Sequence, residues 1–467
     1  MTDAAIVLAA GKGTRFRSDL AKVLHPVAGR TLLRWVLEAA RPLELERIVV
    51  VVGYQADAVR AEAEASGING LRFVEQSEQR GTGHAARVAL ESGELDDADT
   101  VLVLPGDGPL LTSQVLGELL DAHRGGAATL LTTELADPTG LGRIVRDGDG
   151  RVLRIVEELD ASEEERGIDE VSTSTYVFER EALGRELARL GTGNAQGEEY
   201  LTDVVAPLAA AGVAAVVTAP EVAAGVNDLA QLAHAGSILR SRILERLMLD
   251  GVTVVDPAAT YVGPDVTVEP DAVLLPGTHL EGACRIGAGA RVGPDCRLVD
   301  TEVEAGASVS YAVAVQSSIG PGALVGPYAS LRPGTRLEAG AKAGTFVEMK
   351  ASTIGEGSKV SHLSYIGDAT IGRDVNVGAA TVTVNYDGYA KHKTVIGDRA
   401  SIGSDSMLVA PVRIGDDAVT GAGSVITKDV PEGALAVERS EQRIVPGYTE
   451  RKRSRRGKAG DTEHGEH

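Results

Sequence analysis

Two groups of residues, more than 200 positions apart, have the types and spacing to do chemistry. Early in the chain, "LAAGKGTRF" sets Gly11 and Gly13 just after a short apolar run, with Arg15 and Lys22 close behind. Glycine lets a backbone approach a phosphate and aim its amides inward, and nearby cations suit a polyphosphate whose charge shifts during reaction. The spacing matches neither the P-loop nor the dinucleotide fingerprint. In "LPGDGPLL", Asp107 follows another apolar run. A hard carboxylate facing a triphosphate suggests Mg2+, held by one or two protein oxygens and completed by phosphate and water. The plainer readings are a solvated lysine at Lys22 and a turn-forming aspartate before glycine at Asp107.

The second group stands late, in "LRPG", "TFVEMK", "SHLSYIGDA", "NVGAATVTVNYDG", "GSDSMLVAP" and "TGAGSVITKDV". Acyl transfer from a thioester to an amine needs a base, cations for an anionic substrate, and a donor for the oxyanion. His362 is the candidate base, since imidazole titrates near neutrality. Glu348 lies 14 residues earlier and is a candidate to orient it.

Different elements must carry the two groups. "AAIVLAA", "RIVVVVG" and "TVLVLPGD" are near-continuous apolar runs separated by helical patterns such as "TLLRWVLEAA", as expected for parallel strands covered on both faces. Residues 1–226 therefore read as a Rossmann-like, doubly wound α/β domain with ligands at the carboxyl ends of its strands. Residues 227–250 read as an amphipathic connecting helix, with Leu229, Leu232, Gly236, Leu239, Ile243 and Leu247 on one side. Beyond it the period becomes six: Val262, Val268, Leu274, Leu280, Ile286, Val292 and Leu298 recur without a break. The phase then resets and resumes through Ile319 to Leu337, Ile354 to Ile366 and Ile396 to Ile414. Hexads of this kind wind a β-helix, three to a coil of about 18 residues and roughly ten coils in all, over residues 251–440. "TVTVNYDGYAKHKTV" interrupts the cadence and should project as a loop. Residues 441–467 form a tail whose "RKRSRRGKAGDTEHGEH" lacks apolar periodicity and is expected to be disordered.

Composition narrows the partners. The formal charge is −21 over 467 residues, a field that repels nucleic acid and anionic membrane, so any phosphate site must be local. With 56 glycines and 3% aromatics the chain is rich in turns and poor in large core fillers. No apolar run reaches the length of a membrane span and no leader pattern is present, so a cytoplasmic location is expected. Cys284 and Cys296 have no metal-ligand spacing and are expected to be small buried residues.

"LAAGKGTR", "SDLAKVLHPVAG", "QSEQRGTGHA", "GDGPLL", "GLGRIV", "IVEELDA", "GEEYLTDVV" and "GVND", in this order, resemble the GlmU family of bacterial bifunctional N-acetylglucosamine-1-phosphate uridylyltransferase/glucosamine-1-phosphate acetyltransferases. The likeness runs from residue 1 to about 445. It implies UDP-N-acetylglucosamine synthesis for the cell wall and lipid A, with UTP and acetyl-CoA as cosubstrates, Mg2+, a left-handed β-helix, and a homotrimer with each acetyltransferase site between subunits. Carried over by residue, Leu8, Ala10 and Gly11 would hold the nucleotide, with Arg15 and Lys22 on its phosphates. Gln76, Gly81 and Thr82 match the segment that reads uracil, Asp107 and Asn227 the magnesium ligands, and Gly142 and Glu157 contacts to the acetamido sugar. In the second half His362 matches the catalytic base and Glu348 its partner. Arg332, Lys350, Tyr365, Asn376 and Lys391 match residues that grip glucosamine-1-phosphate, and Asn385 and Tyr386 the loop at the acyl centre. Ala379, Ser404, Ala422 and Arg439 match acetyl-CoA contacts, with Ser404 also a candidate oxyanion donor.

Two departures stand out. "EVSTSTYVF" has Ser172 and Ser174 where the family has Asn and Gly, so a sugar hydrogen bond is expected to be lost or water-bridged, at a cost of about 0.5 to 1.5 kcal/mol. Ala380 in "GAAT" replaces a usual glycine and adds a methyl group beside the acyl channel, with activity still expected. Two other readings are a monofunctional sugar-1-phosphate nucleotidylyltransferase with a scaffolding β-helix, and a non-enzymatic assembly protein. The first predicts a solenoid without a base and cations, and the second predicts loss of Arg15, Lys22, Asp107, Asn227 and His362.

Overall fold

The computed structural model describes residues 3–223 and 225–460. The chain forms two compact units. One comprises Met1–Asp250 with Pro257–Val266 and Leu280–Gly282, and the other comprises Gly251–Asp256, Thr267–His279 and Ala283–His467.

In the first unit the apolar runs become the centre of a nine-stranded sheet. Its main path runs Val213–Val217, Ala128–Glu134, Glu170–Glu179, Thr100–Pro105, Asp3–Leu8, Arg47–Val52, Leu71–Glu75. All these neighbours pair in parallel except Glu170–Glu179, which is antiparallel to both strands beside it. Val49, Val50, Val51 and Val52 are fully buried because helices cover both faces of the sheet. Each such side chain contributes about 1.5 to 3 kcal/mol of apolar burial. "TLLRWVLEAA" is the helix Leu32–Ala40: Thr31 caps it by accepting from the Arg34 amide, and Leu32, Leu33, Val36 and Leu37 point into the core. Ala128–Glu134, Glu170–Glu179, Val213–Val217 and Leu71–Glu75 have no counterpart among the three runs read from the sequence, and Leu71–Glu75 carries the weakest signal. It is an edge strand with an exposed Arg72 and no fully buried residue, so its apolar signal is weak.

The predicted connecting helix is Leu229–Leu249, capped by Asp228, whose side chain accepts from the Gln231 amide. It is docked on this first unit, not left free: Ala235 and Leu239 pack with Phe16, Val27, Leu32 and Leu110. Leu229, expected on the apolar side, is 56% exposed because it occupies the first turn, ahead of that contact.

The hexads wind into three parallel sheets of 11, 10 and 9 strands. Leu274, Ile286, Val292, Leu298, Ile319, Val360, Ile402 and Ile414 are all buried, as inward-facing hexad positions should be. The phase resets have a local cause. Partners one coil apart are Val273 and Arg291, then Arg291 and Ser308, then Ser308 and Leu324, so successive coils shorten at their corners while the ladder register is kept. "TVTVNYDGYAKHKTV" projects only in part: its ends are the ladder strands Val382–Val384 and Thr394–Ile396, which continue the sheets, and residues 385–393 make the loop. Cys284 and Cys296 are both buried, as expected.

The tail departs from expectation. Tyr448–Gly460 is a helix where the sequence carries no apolar period; residues 461–467 lie outside those described. Arg, Lys and Ala are good helix formers, and Glu450 in the first turn favours the positive end of the helix dipole. An exposed helix has no need of an apolar period. Among the described residues no helix is long and apolar enough to cross a membrane.

Candidate active sites

The nucleotide-type site is built at the carboxyl ends of the central strands. Asp3–Leu8 delivers Leu8, Ala10 and Gly11, and Thr100–Pro105 delivers Asp107. Gly13 has a left-handed φ of 70° and lies so close to Lys22 that a Cβ there would overlap the lysine's own. That glycine therefore lets the loop fold over Lys22. The Lys22 ammonium forms an ion pair with the Asp107 carboxylate and donates to Asn227 Oδ1 at 2.8 Å; Arg15 Nη2 donates to the same oxygen at 3.2 Å. Four residues from three parts of the chain thus meet at one point.

These residues fit a hard cation. The Asp107 and Asn227 oxygens converge on a positive charge, here the Lys22 ammonium, and two protein oxygens are what magnesium accepts when phosphates and water supply the rest. Among the described residues no three His, Cys, Asp or Glu side chains are grouped to hold a metal, which excludes a dense all-protein cage but not a site of this kind.

Beside this point opens a cavity of about 400 Å³ lined by Ala10, Gly11, Lys22, Gln76, Thr82 and Asp107, among others. Gln76 is 5% exposed, and its Nε2 donates to Gly81 O at 3.1 Å and faces His84 Nδ1 at the same distance. Gln79, not singled out from the sequence, donates to Ala10 O at 2.8 Å and ties this segment to the glycine-rich loop. Its signal was present in "QSEQRGTGHA", but only packing tells one glutamine from another. Glu199, also missed, is a buried carboxylate bridging Arg80 and Arg87, and its main chain is paired with both Arg80 and Gly83.

A second cavity of about 250 Å³ adjoins the first. Glu157 lines it, accepting from Thr202 Oγ1 at 2.8 Å, and burial pushes its carboxyl above the usual range. Gly142 lies against it: a Cβ there would stand 2.9 Å from Ile155 and 3.5 Å from the Glu157 carboxylate. Ser172 is 5% exposed and its hydroxyl is engaged with the Tyr176 hydroxyl at 2.8 Å and the Ser174 amide at 3.2 Å. Tyr200, absent from the sequence reading, brings a buried hydroxyl without a hydrogen-bond partner among the described residues to the same wall.

On the solenoid, the sequence candidates fall into two sets. Lys350, Tyr365 and Asn385 belong to the ten-stranded face: Glu348 and Lys350 pair with Tyr365 and Gly367, and Asn385 follows Val382–Val384. Lys350 Nζ is 3.5 Å from Asp368 Oδ2, to which Asn385 Nδ2 donates at 2.5 Å. The Lys391 ammonium meets that of Lys350, and this neighbour, with Arg332 adding to it, holds the Lys391 amine below its ordinary value. Three cations sharing one small region favour an anion among them. Asn376 instead lies on the eleven-stranded face, pairing with Lys359 and Ser401, so one chain does not gather it with Lys350.

The other set runs along one corner. His362 ends the strand Lys359–His362 and is exposed. The Ala380 amide donates to His362 O at 3.4 Å, the Asp405 amide to Ala379 O at 2.7 Å, and the Gly423 amide to Ser404 O at 2.8 Å. His362, Ala379, Ser404 and Ala422 therefore occupy one corner on successive coils, about 4.8 Å apart along the ladder. Arg439 donates to Ala422 O at 3.2 Å and closes the row. Ala380 has a φ of 61°, the left-handed conformation that glycine adopts without cost. Tyr386, on the projecting loop, donates to Gly388 O at 2.6 Å and bridges to Lys391.

One expected contact is not made. Glu348 pairs with Arg332 at 2.9 Å, and among the described residues no hydrogen bond joins it to His362. The 14-residue spacing is close to a coil in length, but it carries Glu348 onto the ten-stranded face while His362 lies on the eleven-stranded one.

A strand-end phosphate cradle in one unit, and an exposed histidine with a separate cluster of cations on a hexapeptide solenoid in the other, fit a transferase with two chemistries. Residues 5–170 match the model for a MobA-like NTP transferase domain, and residues 393–428 that for the bacterial transferase hexapeptide (six repeats). The chain is 52% identical to the bifunctional protein GlmU of Streptomyces avermitilis, over 96% of its own length and 94% of that protein's. It is 49% identical to that of Mycolicibacterium vanbaalenii (97% and 94%) and 48% identical to that of Trichlorobacter lovleyi (96% and 98%). The chain belongs to the GlmU family, and it is a bifunctional enzyme, a uridylyltransferase and an acetyltransferase.

Proposed function

We propose that the enzyme first N-acetylates glucosamine-1-phosphate on the solenoid and then joins the product to the uridylyl group of UTP in the α/β unit. The observation that carries this reading is the convergence of Lys22, Arg15, Asp107 and Asn227 beside adjoining nucleotide-sized and sugar-sized cavities. In the uridylyl step a phosphate oxygen of the sugar attacks the α-phosphorus of UTP, and the bond to pyrophosphate breaks. Lys22 and Arg15 bind the phosphates and offset their charge, while Gln76, Gly81 and Thr82 hold the base and Gly142 and Glu157 the acetamido sugar. Asp107 and Asn227 hold magnesium, which when bound further neutralises the triphosphate. In the acetyl step the amine attacks the thioester carbonyl, His362 takes the amine proton, and the C–S bond breaks to release CoA. Arg332, Lys350 and Lys391 fix the sugar phosphate. Acetyl-CoA lies along the corner of Ala379, Ser404 and Ala422, ending near Arg439, with Asn385 and Tyr386 beside the acyl group. Glu348 acts through Arg332.

A coupled assay tests the whole scheme. Acetyl-CoA, UTP, magnesium and glucosamine-1-phosphate should yield CoA, pyrophosphate and UDP-N-acetylglucosamine; CoA release without pyrophosphate would mark the α/β unit as inactive.

We further propose a cytoplasmic homotrimer with acetyltransferase sites shared between copies. Asn376 stands on a different face from the residues it is to join, which a neighbouring copy remedies. An exposed edge also favours self-association: Tyr311, Tyr328 and Phe346 stack with ring centroids 5.5 and 5.3 Å apart, and all three are exposed. Phe346→Glu should convert a three-chain particle to single chains in sedimentation and depress acetyl transfer, while pyrophosphate release persists. A variant that sediments as wild type would remove this edge from the interface.

A further inference from the structure

Glu170–Glu179 runs antiparallel between two neighbours and is buried along most of its length, yet its register against Ala128–Glu134 shifts between Ser172 and Tyr176. At this bulge Ser174 has a φ of 58°. A left-handed serine is strained, because its Cβ crowds the backbone, and such strain persists only where the surroundings impose it. Ser172, Thr173, Thr175 and Tyr176 are all buried, and Ser174 alone among them is exposed. Bulges re-aim side chains next to active sites.

The place it reaches is specific. Ser174 lines both the nucleotide-sized cavity of about 400 Å³ and the sugar-sized cavity of about 250 Å³, together with Leu8, Thr82 and Glu198. These shared residues mark the junction where the acceptor sugar phosphate must meet the nucleotide. Ser172 is less available there: it is buried, and its hydroxyl is engaged by Tyr176 and by the Ser174 amide, whereas Ser174 shares the Tyr176 hydroxyl but is open to both cavities. The same two contacts support the bulge that exposes Ser174.

We infer that Ser174 is a specificity-determining residue of the uridylyltransferase, its hydroxyl hydrogen-bonding the acceptor sugar 1-phosphate at the junction of the two cavities. The inference rests on the sugar-1-phosphate reading above and adds a residue to it. Ser172 then acts as a positioning residue for the bulge.

Two variants separate the hydroxyl from the strain. Ser174→Ala keeps the Cβ and its left-handed backbone but loses the hydroxyl, and Ser174→Gly loses both. Both should raise KM for N-acetylglucosamine-1-phosphate about five- to tenfold, as loss of one hydrogen bond does, with KM for UTP and kcat within about twofold. Ser174→Gly should also raise the melting temperature, since glycine adopts this φ freely. Acetyl transfer at the wild-type rate in the same preparations confirms intact protein. Wild-type sugar KM in Ser174→Ala overturns the inference, including the case where only Ser174→Gly changes, which would make the serine a spacer. A wild-type enzyme that releases no pyrophosphate with any sugar 1-phosphate would instead sink the underlying reading.

Discussion

Asp107→Ala is expected to abolish pyrophosphate release while acetyl transfer continues at the wild-type rate. Asp107 is one of two oxygen donors at the cation point, and its carboxylate also holds the Lys22 ammonium. On the proposed reading, removing it deprives the phosphates of a cation, and it leaves the partly buried Lys22 without its counter-charge. A loss of about 4 kcal/mol of charge stabilisation corresponds to roughly a thousandfold in rate. Asp107→Asn keeps the shape but not the charge, so it should fall between alanine and wild type. The measurement is pyrophosphate and CoA release from one preparation with each half supplied its own substrates. Loss of both activities would contradict independent sites, because Asp107 belongs to the first compact unit and the acetyltransferase candidates to the second.

His362→Ala should give the mirror image. Acetyl transfer should fall by about 10² to 10⁴, the range for loss of a general base, while pyrophosphate release from supplied N-acetylglucosamine-1-phosphate is unchanged. His362 is exposed at a strand end with its carbonyl bound to Ala380, so alanine removes the imidazole with little disturbance of the coil. The main-chain ladder between Thr345 and His362 does not depend on that side chain. Retention of near-normal acetyl transfer would assign the base elsewhere, and the Arg332–Glu348 pair would be the next group to examine.

Much of this architecture was legible because it repeats or runs in long apolar stretches. Hexads from Val262 to Ile414 could be read as coils since one buried aliphatic residue per strand is a periodic signal that corners and insertions interrupt without erasing. Signals without a period were read less well. Leu71–Glu75 is a partly exposed edge strand, and the helix Tyr448–Gly460 has no apolar face. That helix carries good helix formers but no amphipathic period by which a sequence announces a helix.

The site followed the same division. Chemistry-bearing types in motifs, among them Arg15, Lys22, Asp107, Asn227 and His362, are visible in one dimension because they flank strands or sit in glycine-rich turns. Their partners are not visible. The pairing of Glu348 with Arg332, the enclosure of Ser172 by Tyr176, and the exposure of Ser174 each depend on which face or bulge a residue occupies. A shift of one position along a strand reverses the face its side chain takes, so a 14-residue interval cannot say whether two side chains meet.

By itself, then, the order of amino acids determined the two units, the periods that build them and the residues able to handle phosphate and acyl groups, because burial patterns and reactive types are local properties. Tertiary structure alone decided which of those residues share a point in space. Strand register, bulges and coil corners set contacts between segments tens to hundreds of residues apart, as when Asn227 is brought to Lys22.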